Sequence, residues 1–148
     1  MYLHYLLIFV FQVIQGCNGC MATPQSSAAP EVPVIPCQTC AAPGLLDVPA
    51  AAKPTYFMGP GSVAPGAPVT AAQCVSFVIT CNAVTTPNNK VIQIGVDQII
   101  GQALAGPSMA GRSLTVTVVC NGDGVLEGVD VVTGNRVTLT NAYCSVAN

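Results

Sequence analysis

Cys74-Val75-Ser76-Phe77-Val78-Ile79-Thr80-Cys81 decides how this chain is read. Val75, Phe77, Ile79 and Cys81 alternate with Ser76 and Thr80. Successive side chains of a strand point to opposite faces, so this alternation of β-branched and apolar residues predicts a half-buried strand. The same pattern returns at Ser113–Cys120, where Leu114, Val116, Val118 and Cys120 alternate with Thr115 and Thr117. Both stretches end on a cysteine.

Working outward, Val91–Val96 reads as a further strand, and Thr85–Lys90, with Pro87-Asn88-Asn89, reads as the turn before it. Asp97–Leu104 reads as a short helix, with Asp97 as its N-cap and Ile100 and Leu104 on one face. Gly106-Pro107 breaks the chain. Asn121-Gly122-Asp123-Gly124 is a hairpin turn. Val125–Val132 and Arg136–Thr140 follow as strands joined across Thr133-Gly134-Asn135. Ala41–Gln73 carries Pro43, Pro49, Pro54, Pro60, Pro65 and Pro68, so regular structure there is expected to be sparse and short. The fold class expected is mainly β: a small disulfide-stabilised antiparallel sandwich or barrel with Pro/Gly-rich loops.

The N-terminus reads differently. Tyr5–Ile14 is an apolar run of about ten residues, the length of a signal-peptide core and too short to span a bilayer. Cleavage after Gly16 leaves a small residue at the cut, which makes 1–16 a signal peptide. Residues 17–36 form a Pro/Ala/Ser-rich linker holding Cys17-x-x-Cys20, and 37–148 the cysteine-rich β domain. Ile14-Gln15-Gly16-Cys17 also looks like the lipobox of bacterial lipoproteins, so a lipid-anchored surface protein is a lesser alternative. No later stretch is expected to span a membrane: Val91–Leu104 is interrupted by Asp97 and by Gln93, Gln98 and Gln102.

Composition narrows the function classes. The single histidine, His4, falls in the leader, so Ser-His-Asp and Cys-His arrangements are not expected in the mature chain. Four Lys and Arg against six Asp and Glu give a net charge of −2, without the basic patch that nucleic acid requires. Paired carboxylates among Asp123, Glu127 and Asp130 are conceivable, but Asp123 and Asp130 are seven positions apart, on opposite faces of one strand. A calcium loop at Asn121–Gly124 with Glu127 lacks the ligand spacing of a known loop. No Asn-x-Ser/Thr acceptor occurs. The reading is non-enzymatic, with no catalytic residue, metal or cofactor expected.

Eight cysteines remain: Cys17, Cys20, Cys37, Cys40, Cys74, Cys81, Cys120 and Cys144. The two Cys-x-x-Cys pairs match a zinc-ribbon spacing, and either could in principle be a redox pair. Disulfides are favoured over both. An alanine-rich chain with four mature aromatics has a thin core, and each disulfide adds about 2–4 kcal/mol in the oxidising compartment that a leader implies. Eight cysteines allow 105 pairings and six allow 15, so connectivity stays open. Cys74 and Cys81 lie on opposite faces of one strand and are not expected to pair together. Tyr56 and Phe57, with Met58, sit in the Pro/Gly-rich region and are candidate contacts for a protein partner. Cover for one edge of the core is the competing role.

From Cys37-Gln38-Thr39-Cys40 onward, the chain resembles the six-cysteine secreted domain abundant in nematodes. The resemblance continues through Gln73–Cys81, Leu114–Asn121, Gly124 and Cys144, about 108 residues in all. That family usually places a Trp two residues after the glycine matching Gly124; here the place is Leu126. Cys17 and Cys20 lie outside the pattern. The resemblance implies three disulfides in a secreted β-rich module of unknown function, with no catalytic residues to transfer. The leading expectation is a secreted structural or interaction module binding extracellular proteins. The alternative is a small effector, such as a protease inhibitor or toxin-like protein, presenting one rigid loop.

Overall fold

The computed structural model describes residues 33–85 and 90–148. The segment 1–16 expected as a leader, Cys17, Cys20, most of the stretch expected as a linker and the Pro87-Asn88-Asn89 turn lie outside the described residues. Val34–Asn148 forms one compact unit.

Two sheets face each other. The first runs in the order β1 (Gly44–Leu46), β10 (Asn141–Ala147), β5 (Ile92–Val96) and β6 (Ile99–Ala105), with β2 (Tyr56–Met58) also paired to β10. The second runs β3 (Gly61–Pro65), β4 (Ser76–Cys81), β7 (Leu114–Cys120), β8 (Leu126–Val129) and β9 (Arg136–Leu139). All neighbours are antiparallel except β1 and β10, which are parallel. The architecture is a small disulfide-stabilised β-sandwich. Short 3-10 turns at Pro36–Gln38 and Ala50–Ala52 are its only helical segments among the described residues. None is long and apolar enough to cross a membrane.

The strands read from alternation are present, and their inward residues make the core. Ile79, Val118, Leu126 and Leu139 from the second sheet meet Ile92, Ile94, Val96, Leu104 and Val146 from the first. The sheets approach closely because Gly128 on β8 has no side chain: a Cβ there would stand 2.6 Å from the Leu104 Cδ2. Leu126, at the position where the resembling family carries Trp, is 5% exposed.

Four expectations need correction. The helix at Asp97–Leu104 does not form. Asp97, at φ +45°, turns the chain, and Ile99–Ala105 returns as β6 against β5. Strand pairing satisfies the backbone groups along that edge of β5, which a helix would leave bare, and Gly101 takes φ +91°, outside the helical region. The strand at Val125–Val132 stops at Val129, because Asp130 turns inward and its carboxylate collects the backbone beyond. Tyr56–Met58 is a strand rather than a loop. Ser76, assigned to the polar face, is 3% exposed and donates its hydroxyl to the Ala67 carbonyl.

Beyond the short β1 and β3, the strand that went unread is the most deeply buried one. Asn141–Ala147 is β10, the strand on which β1, β2 and β5 all pair. Ala142, Cys144 and Val146 face the core, while Tyr143 and Ser145 on the other face are also buried. The Tyr143 ring lies across Gly95, its cross-strand neighbour, where a Cβ would stand 2.0 Å from the ring. Its hydroxyl donates to the Ile99 carbonyl at 3.2 Å. Burial, with Tyr56 beside it, pushes the Tyr143 phenol above its ordinary pKa.

Candidate functional site

Six cysteines close into three disulfides, Cys37–Cys74, Cys40–Cys120 and Cys81–Cys144. Their Cα–Cα distances of 4.8, 5.8 and 5.6 Å fall in the usual disulfide range. Cys81 ends β4 and Cys144 lies mid-β10, so this bond joins strands of opposite sheets. The other two anchor the N-terminal segment to the second sheet. Cys37 bonds beside the start of β4, and its carbonyl accepts the Val75 N–H at 2.9 Å. Cys40 bonds the end of β7. Cys37 and Cys40 therefore have different partners and form neither a redox pair nor half of a zinc site. Cys17 and Cys20 lie outside the described residues.

The acidic residues are kept apart in function as well as in space. Asp123 is exposed in the β7–β8 turn, where the Asn121 Oδ1 accepts the N–H groups of Asp123 and Val125, each at 3.0 Å. This is turn chemistry, with the Asn side chain spent on its own loop. Glu127, on the outer face of β8, pairs with Arg136 across the hairpin. Asp130 is 1% exposed, lying where the two sheets meet. Its carboxylate accepts the Ala103 N–H at 3.0 Å, the Thr133 hydroxyl at 2.7 Å and the Val132 N–H at 3.1 Å. These bonds, Ala103 first and Thr133 next, hold the carboxyl below its ordinary pKa against the desolvation that would raise it. It clamps β6 of one sheet to the turn after β8 of the other. No three His, Cys, Asp or Glu side chains gather to hold a metal ion among the described residues.

Two grooves stand out among the described residues. One, of about 320 Å³, is lined by Cys40, Gly44, Gly124, Leu126, Leu139 and Asn141, among others, and no ionisable side chain lines it among the described residues. The other, of about 360 Å³, lies on the outer face of the second sheet, and its only charges among the described residues are the paired Glu127 and Arg136. Neither places a nucleophile beside a base.

The surface is more informative. Tyr56, Phe57 and Met58 are 37%, 41% and 45% exposed on β2. Phe57 stands opposite the core residue Val146; Tyr56 and Met58 stand opposite Ala147 and Ser145 on the other face. The pair singled out from sequence is thus both rim of the core and open surface. A second apolar group was missed. The β5–β6 register passes from Val96–Ile99 to Gly95–Ala103, so Ile100, Gly101 and Gln102 bulge outward. The Val131 N–H donates to the Ala103 carbonyl at 2.7 Å, which brings Val131 and Val132 beside that bulge. Ile99, Ile100, Val131 and Val132 are all at least 46% exposed. The helix and long strand expected from sequence had hidden this cluster; its one visible signal was the absence of any charge between Gln98 and Gly111.

No protein-family model, no curated protein and no solved structure matches the chain.

Proposed function

We propose that this chain is a secreted, non-enzymatic interaction module: a disulfide-stapled sandwich that binds an extracellular protein through exposed apolar side chains. The observation that carries this reading is the open strand β2, where Tyr56, Phe57 and Met58 remain exposed at the rim of the core. Exposed aromatic clusters on a rigid frame are the usual anchors of protein interfaces. Three disulfides suit an oxidising compartment, and the apolar run at Tyr5–Ile14 supplies the route to it. The likeness to the six-cysteine secreted domain of nematodes belongs to the same proposal. What supports it is that the six cysteines of that pattern pair entirely among themselves.

A substrate-like protease inhibitor is a poorer fit. The loop Val69–Cys74, within the stretch expected to present it, is based on the Cys37 disulfide and on the Gln38 amide, which donates to the Ala72 carbonyl at 2.7 Å. Its tip is a tight turn with Thr70 and Gln73 at φ +67° and +54°, whereas a protease reads an extended segment.

The test places a photo-crosslinking amino acid at position 57 and, as a control, at the exposed Thr115. The protein is then applied to the extracellular fraction of its source tissue. A discrete adduct at 57, competed by the unmodified protein and absent at 115, is the expected result. Equal or no adducts at both positions would sink the proposal.

A further inference from the structure

The backbone of β2 is paired on one side only. The Gly59 N–H donates to the Cys144 carbonyl at 2.8 Å and the Asn148 N–H to the Thr55 carbonyl at 3.0 Å, in one register with the Phe57–Val146 pair. Hydrogen-bonded pairs alternate along an antiparallel ladder. Thr55, Phe57 and Gly59 therefore turn their backbone groups to β10, and Tyr56 and Met58 turn theirs the other way. β10 is the only strand that pairs with β2, so the N–H and C=O groups of Tyr56 and Met58 have no strand partner among the described residues. Pro54 and Pro60 bound this open edge. Neither has an N–H, and their carbonyls accept the Asn148 side-chain amide and the Asn82 N–H.

Edge strands are normally guarded against pairing by charge, proline or a bulge. β2 is guarded by proline at its two ends and by nothing between them, and no charged residue occurs from Pro54 to Asn89. Resting on the reading of β2 as an interaction surface, we infer that its partner is β2 of a second copy, paired antiparallel about a two-fold axis at Phe57. The open groups are self-complementary. With Tyr56 opposite Met58 of the second copy, every open N–H meets an open C=O, and the ladder ends where both copies reach proline. A longer strand from another protein would run past Pro54 and Pro60 and leave its own groups unpaired there. The side chains match in the same register. Tyr56 meets Met58 on the outer face, a sulfur–aromatic pair made twice. Phe57 meets Phe57 across a non-hydrogen-bonded pair, where side chains approach most closely. A charged edge would repel its own copy in a two-fold contact, and this one carries no charge. So short a ladder buries less than the roughly 1,200 Å² of a stable interface, which makes the dimer a reversible, concentration-dependent one.

The test uses the purified protein, secreted from a eukaryotic host, with no other protein present. Sedimentation and amide exchange are followed from about 10 µM to 1 mM, the range of weak association. The expected result is a monomer–dimer equilibrium. The Tyr56 and Met58 amides slow as dimer forms, while the Phe57 amide, already facing β10, is slow throughout. A photo-crosslinking amino acid at position 57 should give a doubled mass whose linked peptide maps to Thr55–Gly59 of the second copy. Met58→Pro removes an outward N–H without touching the bonds to β10 and should abolish the dimer, whereas Met58→Leu keeps that N–H and should retain it. A peptide map of each variant checks that the three disulfides are intact. A monomer throughout, a crosslink mapping elsewhere on the second copy, or a dimer surviving in Met58→Pro would overturn the second copy as the partner of β2. An adduct at position 57 with a different extracellular protein would then leave the interaction reading standing. No adduct of either kind would overturn both.

Discussion

Replacing Cys81 and Cys144 together with alanine removes the one disulfide whose two cysteines lie in strands of opposite sheets. Its sequence separation is 63, and closing a loop of that length restricts the unfolded chain by about 4 kcal/mol in the chain-entropy treatment. Both residues are 1% exposed, so each lost sulfur also leaves a small void worth about 1 kcal/mol. The sum, about 6 kcal/mol, is comparable to the whole stability of a typical domain. At about 4 °C per kcal/mol for a domain of this size, the melting temperature falls by about 24 °C. The matched comparison is Cys37→Ala/Cys74→Ala, whose separation is 37. Loop closure alone makes that bond worth about 0.5 kcal/mol less, and it holds a segment outside the strands, so its removal should cost less. Guanidinium denaturation of the oxidised proteins gives the two free energies, and amide exchange locates the loosened region. Opening Cys81–Cys144 should deprotect β4 and β10 together, whereas opening Cys37–Cys74 should deprotect Val34–Thr39 and Val69–Val75 and spare β10. A loss under about 1 kcal/mol for Cys81→Ala/Cys144→Ala, or a larger loss for the other pair, would refute the view that this bond is the principal staple between the sheets.

Other expectations follow from close packing and from the buried carboxylate. Gly128→Val forces a side chain against Leu104 and should cost about 1–3 kcal/mol; adding Leu104→Ala should recover part of that loss in a double-mutant cycle by denaturation. Tyr143→Phe gives up the bond to the Ile99 carbonyl and should cost about 1 kcal/mol in chemical denaturation while leaving the circular dichroism spectrum unchanged. Asp130 has a folded pKa below its unfolded value, so its contribution to stability is fully present above the ordinary carboxylate range. It is lost as pH falls through the lower folded value. Asp130→Ala should therefore lower the melting temperature at pH 7, and the gap to the unmodified protein should narrow in acid; a gap that is constant with pH would contradict this assignment.

The alternating stretches Ser76–Cys81 and Leu114–Cys120 were legible because each has one face on the core and one toward solvent, the condition under which a period of two is written in side chains. Asn141–Ala147 was illegible for the opposite reason. It is buried on both faces, so its Tyr and Ser positions carry no polarity signal, and Tyr143 is buried on the face away from the core because Gly95 leaves room for its ring. The hairpin at Asp97 was missed because its turn is held by distant groups: the Asp97 Oδ1 accepts the N–H groups of Thr140 and Asn141, more than forty positions away. Local propensity at Asp97–Leu104 says helix, and tertiary pairing overrides it. The same holds for the candidate site. Tyr56 and Phe57 stood out by chemistry alone, since aromatics are rare in this chain. The cluster of Ile99, Ile100, Val131 and Val132 exists only because a bulge and a buried carboxylate bring two separate segments together.

A peptide map of the protein secreted from a eukaryotic host, digested without reductant after alkylation, tests the central claim most directly. The stapled extracellular sandwich predicts Cys37–Cys74, Cys40–Cys120 and Cys81–Cys144 as linked peptides, no alkylated thiol between residues 37 and 148, and an N-terminus near Cys17. Retained Met1, alkylated Cys37 and Cys40, or zinc in the native mass would contradict it.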